Sequence, residues 1–240
     1  MALDEALMDR ARERGEIIAR VYTWSEPTLS FGRHQTARGL YDLNTAADHG
    51  VSFVRRPTGG RAVLHHREIT YSVAAPDHAL GTLRESYGRI NRLLRDALRR
   101  LGVAAEEARA SGPAPHPGVA PCFEEPVAGE IIAGGRKLVG SAQWRERGAL
   151  LQHGSILVDD DQALASALLT VPAPPPAAPA TLHGLLGRVP AADEFAAAFA
   201  DSLALLEAVA PLPLELDHEL QTAARALEER YESDAWTWRR

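Results

Sequence analysis

Stretches with a helical repeat of apolar positions are interspersed along this chain with short runs that read as strands. Residues 2–14 carry Ala2, Leu3, Ala6, Leu7 and Ala11 at helical spacing, and Gly15 follows as a stop, which predicts a helix. Five strand-like runs come next, at 17–24, 28–31, 51–55, 61–64 and 69–74, punctuated by Pro27, Pro57 and Gly59-Gly60. From Leu83 to Leu101 the apolar positions 83, 87, 90, 94, 97 and 101 keep a helical period, and Gly102 closes the clearest predicted helix of the chain.

Residues 107–126 are dense in Pro, Gly and Ala and read as a loop, with Cys122 near its end. Glu130–Ala133 and Arg136–Gln143 flank Gly134-Gly135, a two-residue hairpin signal, and Leu150–Val158 predicts a third strand. Within it, His153-Gly154 reads either as a bulge that aims an imidazole at a site or as a satisfied core histidine. Asp159-Asp160-Asp161 reads as a solvated loop that caps a helix at 162–169. Residues 171–180 read as a stiff internal linker, and helices at about 191–209 and 217–232 lead to Trp236-Thr237-Trp238. A β-rich order with one central helix and helices at the end predicts an α+β fold, with mixed and antiparallel sheets flanked by helices. One domain over 1–240 is expected, with 191–240 as its C-terminal helical segment.

Composition narrows the function classes. Apolar content of 45% and charged content of 24% are globular values. A formal charge of −6 argues against a nucleic-acid binder. No apolar run approaches membrane-spanning length, and the first residues lack the pattern of a signal peptide, so no membrane association and a cytoplasmic location are expected. A single cysteine excludes an internal disulfide and a cysteine-rich zinc site. His65 and His66 are adjacent on a predicted strand and so point to opposite faces, which argues against a shared metal.

Cys122 is the only cysteine and Lys137 the only lysine; every other cationic side chain is an arginine or a histidine. Lysine, unlike arginine, has a movable pKa. A thiol near an ammonium is the arrangement that yields a nucleophilic thiolate. Two further segments stand out. In Arg55-Arg56-Pro57-Thr58-Gly59-Gly60-Arg61-Ala62-Val63-Leu64-His65 the glycines leave backbone N–H groups open to a ligand, although an ordinary hairpin would look the same. In Gly140-Ser141-Ala142 small residues inside a strand mark the close approach of a backbone or a ligand.

Taken in this order, these segments resemble the lipoate/octanoate protein ligase and transferase family, part of the biotin and lipoate ligase superfamily. The matching stretches are Met1–Leu7, Pro27–Gln35, Arg55–Ser72, Gly135–Gln143, Gln152–Leu157 and Trp236-Thr237. Thr58 to His65 and Cys122-Phe123 resemble most the cysteine-dependent octanoyltransferases that modify the glycine-cleavage H protein. His66 stands where the family more often has Asp, and the chain begins inside a helix that a strand usually precedes. The resemblance implies attack of Cys122 on octanoyl-acyl carrier protein, then transfer of octanoyl from the cysteine to a lysine of a lipoyl-domain protein. Lys137 would assist the thiolate and the oxyanion, and no cofactor would be needed. Substrate contacts are expected from Arg56, Thr58, Gly59, Gly60, Arg61, Ala62 and His65 in the first segment. Gly140, Ser141, Ala142 and Gln143 in the second, and His153 and Gly154 in the third, complete that expectation. The acidic carrier and acceptor would be steered by arginine clusters at 55–67 and 84–100. An ATP-dependent ligase, an octanoyl amidotransferase and a non-catalytic acyl-binding module are the alternatives.

Overall fold

The computed structural model describes residues 1–108, 129–171 and 173–240; Cys122 and nearly all of the 107–126 loop lie outside the described residues. Among those described, the chain runs α1 (Ala2–Arg14), β1 (Ile18–Tyr22), β2 (Thr28–Phe31), α2 (Leu43–Asp48), β3 (Ser52–Arg55), β4 (Val63–His65) and β5 (Glu68–Pro76). It continues through α3 (Leu83–Arg100), β6 (Ala105–Glu107), β7 (Ile131–Ala133), β8 (Arg136–Glu146) and β9 (Ala149–Leu157). The helices α4 (Gln162–Ala167), α5 (Leu182–Leu186), α6 (Ala192–Glu207), α7 (His218–Glu232) and α8 (Asp234–Thr237) follow.

Six strands form one antiparallel sheet in the order β1-β5-β9-β8-β7-β6. Its centre, β5 and β9, is buried at every position. Side chains alternate between the two faces. Ile69, Tyr71 and Val73 pack with Leu94 and Leu98 of α3 and Phe195 and Phe199 of α6. On the other face Ala74 and Leu151 pack with Leu7, Met8 and Ala11 of α1 and Leu220 of α7. A second sheet, β3-β2-β4, is mixed: β2 runs parallel to β3 and antiparallel to β4. It has its own core of Leu29, Phe31, Ala62 and Leu64, with Trp238 packed against it. This is the predicted α+β class.

Local sequence signals mark some of the element ends. Thr82 and Glu85 form a reciprocal capping box at the head of α3, and Gly15 ends α1 in the left-handed region at φ 69°. Gly134-Gly135 closes the β7–β8 hairpin, with Ala133 opposite Arg136 and both glycines at positive φ.

Two local readings are corrected, and the predicted cap of α4 is found on one residue of its acidic run. Gly59-Gly60 does not close a hairpin, because β2 lies between β3 and β4. No bulge occurs at His153-Gly154: the pairing of β9 with both neighbours is unbroken there, and the irregularity lies instead at Ile131/Ile132. The N–H of Gln162 at the start of α4 is accepted by Asp160, while Asp161 is engaged by Arg67. The short elements α2, α5, α8 and β6 carry too few residues for a periodic signal.

Candidate active site

The cleft-facing side of the large sheet is unusually polar. Thr70 and Ser72 of β5, with His153 and Ser155 of β9, alternate onto one face, opposite Ala142 and Gly140 of β8. A cleft opens between this face and the small sheet, with about 430 Å³ of space between atoms, part of it open to solvent. Arg56, Gly60, His65, Gly140, Ser141, Ala142, His153 and Gly154 all line it, so eight of the sequence-predicted site residues come together. Met1, Tyr22, Trp24, Val63, Thr70 and Ser155 complete the lining.

Each histidine is held at both ring nitrogens. His65 Nδ1 lies 2.8 Å from Glu68 Oε1 and its Nε2 lies 2.7 Å from Ser30 Oγ. The indole of Trp24 stacks on its ring, centroids 4.3 Å apart. His153 Nε2 lies 2.7 Å from Thr58 Oγ1, and its Nδ1 faces Asp4 Oδ2 at 3.6 Å. Asp4 is fully buried and accepts from Arg20 at 2.8 Å, Ser72 at 2.9 Å and Tyr22 at 3.3 Å. Burial works to raise the Asp4 carboxyl, yet His153, the terminal amine and Arg20 together hold it well below the usual carboxylate range. Burial pushes His153 below its ordinary value of 6.5, against the pull of Asp4, which favours the neutral ring. Burial, aided by the Asp4 charge, raises the Tyr22 phenol well above its ordinary value.

Arg56 explains the shape of the Gly59-Gly60 turn. Its Nη2 donates to the Gly59 carbonyl at 2.8 Å and to the Arg61 carbonyl at 2.6 Å, while Nη1 donates to Ser30. Gly60 takes φ 93°, and among the described residues neither Gly59 nor Gly60 donates its N–H to a backbone acceptor. Thr58 and Gly59 sit directly behind this rim, Thr58 fully buried. The Arg61 side chain is not part of the cleft lining, and Ala62 points into the core of the small sheet.

Gln143 is not brought to the cleft. It lies on the opposite face, donating to Ser86 of α3 at 2.9 Å and to Gln152 at 3.2 Å. The Ser141 hydroxyl also faces that way and accepts from Tyr71 at 2.7 Å. A Cβ on Gly154 would fall 2.4 Å from the Gly140 carbonyl oxygen and 2.7 Å from the Tyr71 ring, so that glycine is demanded by strand and ring packing.

Lys137 does not line the cleft. It is the second residue of β8, three before Gly140, is 2% exposed, and donates from Nζ to Glu130 Oε1 at 2.6 Å. Its expected partner Cys122 lies outside the described residues. Two members of the first arginine cluster are unavailable for docking. Arg55 and Arg56 are buried and spend their donors on backbone carbonyls and Ser30, and Arg67 is paired with Asp159 and Asp161.

Sequence reasoning missed Asp4, Trp24, Ser30 and Glu68. Two signals were available. Asp4 falls on the same stripe as Leu7, Met8 and Ala11, and a charge on a buried stripe signals a partner. Glu68, Thr70 and Ser72 alternate with Ile69, Tyr71 and Val73, so a strand buried on both faces has one polar face.

A sequence model of the lipoyl protein ligase A/B catalytic domain matches residues 1–204. The octanoyltransferase LipM of Kyrpidia tusciae is 39% identical over 100% of this chain and 94% of its own length. That of Symbiobacterium thermophilum is 38% identical over 100% of this chain and 93% of its own. Among solved structures, protein Ta0514 of T. acidophilum with bound lipoic acid superposes with TM-score 0.79 at 23% identity, covering 99% of this chain and 92% of that one. A lipoate-protein ligase A bound with ATP superposes with TM-score 0.75 at 23% identity, over 99% and 92% of the two chains. These two likenesses establish the fold.

Proposed function

This chain belongs to the lipoyl protein ligase A/B catalytic domain family, and from that premise we propose how it transfers its acyl group. It is an acyltransferase of the octanoyltransferase kind, moving an octanoyl group in protein lipoylation. The observation that carries the reading is the cleft itself, walled by Trp24, His65 and His153 and floored by Gly140 and Ala142, which suits a short acyl chain.

Octanoyl-acyl carrier protein is the donor. The Cys122 thiolate attacks the thioester carbonyl, forming an Sγ–C bond while the carrier's S–C bond breaks, and the carrier leaves as a thiol after taking a proton. An unprotonated lysine amine of a lipoyl-domain protein, such as glycine cleavage H protein, then attacks. The N–C bond forms, the Sγ–C bond breaks and the amine proton passes to the departing thiolate. Lys137 supplies positive charge to the thiolate and a proton that can be given and regained. The open N–H groups of Gly59 and Gly60 receive the carbonyl oxygen as it gains charge. Thioester-to-thioester exchange is nearly balanced and amide formation from a thioester is downhill, so the route needs no ATP.

The test is intact mass after incubation with octanoyl-acyl carrier protein in the absence of ATP, for wild type and Cys122→Ala. A hydroxylamine-sensitive octanoyl adduct on wild type alone supports the route. Acylation of a lipoyl domain only when ATP and free octanoate are supplied would replace it with a ligase mechanism.

A further inference from the structure

Glu68 is 3% exposed, and its bonding is concentrated on one oxygen. Oε1 accepts from His65 Nδ1 at 2.8 Å, Thr70 Oγ1 at 2.5 Å and Ser155 Oγ at 3.0 Å. Thr70 in turn accepts from Trp24 Nε1 at 2.8 Å, and Trp24 is the residue stacked on His65. One carboxylate therefore orients both members of a stacked wall of the cleft.

The string continues beyond His65. Ser30 Oγ lies 2.7 Å from Nε2 and accepts from Arg56 Nη1 at 2.9 Å. That guanidinium carries the Gly59 and Arg61 carbonyls at 2.8 and 2.6 Å. A carboxylate only accepts, so the proton of His65 belongs on Nδ1. Nε2 is then the acceptor, Ser30 the donor, and the remaining lone pair of Ser30 is free to receive Arg56. The direction of every bond from Arg56 to Glu68 follows from one negative charge.

We infer that Glu68 is a positioning residue for acyl transfer: by fixing the Nδ1–H tautomer of His65 it sets Ser30 and Arg56, and through them the Gly59-Gly60 turn at the rim of the cleft. The inference rests on the octanoyltransferase reading, and Glu68 itself does not line the cleft. It assigns a task to a buried carboxylate that the transfer chemistry otherwise leaves unused.

Glu68→Gln tests it, because glutamine keeps the volume but can donate to Nδ1 and release the tautomer. Long-range 15N–1H correlation of the imidazoles, with His65 assigned from His65→Gln, should show the Nδ1–H form in wild type and the Nε2–H form in Glu68→Gln. The kcat for transfer from octanoyl-acyl carrier protein to a lipoyl-domain protein should fall about tenfold or more, the cost of one buried charged hydrogen bond. KM for the carrier should stay within about threefold, as expected when ground-state binding is spared. Ser30→Ala cuts the string beyond His65, so it should keep the tautomer and lose kcat to a similar degree. An unchanged tautomer in Glu68→Gln, or wild-type kcat in both variants, would overturn the inference. Should wild type form no adduct on Cys122, the acyl-enzyme route fails instead, and the tautomer, read without substrate, still decides the role of Glu68.

Discussion

The carbonyl oxygen of Gly60 occupies the place where a side chain on Gly32 would begin: a Cβ there would fall 1.9 Å from it. The end of β2 and the turn of the cleft are thus in direct backbone contact, reinforced by the Arg33 N–H donating to the Thr58 carbonyl at 2.7 Å. Gly32→Ala must push the turn outward, since neither partner is a flexible side chain. We expect a stability loss of about 1–3 kcal/mol, typical of overpacking, and a loss of acyl transfer larger than that figure alone explains. Urea unfolding and transfer kinetics on the same preparation check this. Wild-type turnover would show that the position of the turn does not matter.

How much of this was legible in the sequence depends on the range of the interaction. The α3 helix was readable because Ile90, Leu94 and Ala97 repeat locally, and the β7–β8 hairpin because Gly134-Gly135 leaves little alternative. Pairing between β2 and β3 was not readable, since parallel strands joined through α2 leave no turn signature. The same limit hid the site. Gly59-Gly60, His65 and His153 stood out as residue types, whereas Asp4 and Glu68 are marked only by their place on a buried stripe and a polar strand face, and their partners come from distant parts of the fold. Gln143 failed in the opposite direction: its neighbours Gly140 and Ala142 face the cleft, and alternation along β8 turns it toward Ser86.

Lys137 is buried against Glu130. Lys137→Arg keeps the charge but replaces a compact ammonium with a planar group that cannot give up its proton. Octanoyl loading of Cys122, followed by intact mass, should slow by about a hundredfold or more if Lys137 handles a proton. Loading at the wild-type rate would leave only the charge as relevant.

The buried His153 makes stability acid-sensitive. Its pKa is lowered from 6.5 in the folded protein, chiefly by burial, so below pH 6.5 the unfolded chain binds a proton that the folded one resists. The contribution is therefore complete above about pH 6.5 and is lost as pH falls through the lowered value. Asp4 is lowered too, but from 3.8, so its contribution survives until the solution is far more acidic. Urea unfolding at pH 7.5 and pH 5 should show wild type losing more stability than His153→Gln. Equal losses would place the titrating group elsewhere.

Arg55 ties the end of the chain to the site. It is fully buried, donating from Nε to the Thr237 carbonyl at 3.0 Å and from Nη1 to the Gly32 and Gln35 carbonyls at 2.7 Å each. Trp236 returns a bond from its indole to the Arg55 carbonyl at 2.8 Å. Burial, with Arg239 and Arg240 nearby, pushes the guanidinium down to about 10, so it remains charged at neutral pH and is balanced by carbonyl dipoles. Arg55→Met removes the cost of the buried charge but strands the Thr237 and Gln35 carbonyls, each worth about 1–3 kcal/mol when left unpaired, while the Gly32 carbonyl keeps only the Gln35 N–H. The net should be a lower Tm and weakened acyl transfer, because Gly32 and the turn it supports lose an anchor. Removing residues 236–240 should act through the same bonds and also strip Trp238 from Phe31 and Phe53. The two changes should then combine to less than the sum of their separate effects, since each destroys part of what the other removes. Strict additivity in a double-mutant cycle would mean that the C-terminal segment stabilises the small sheet without acting through Arg55.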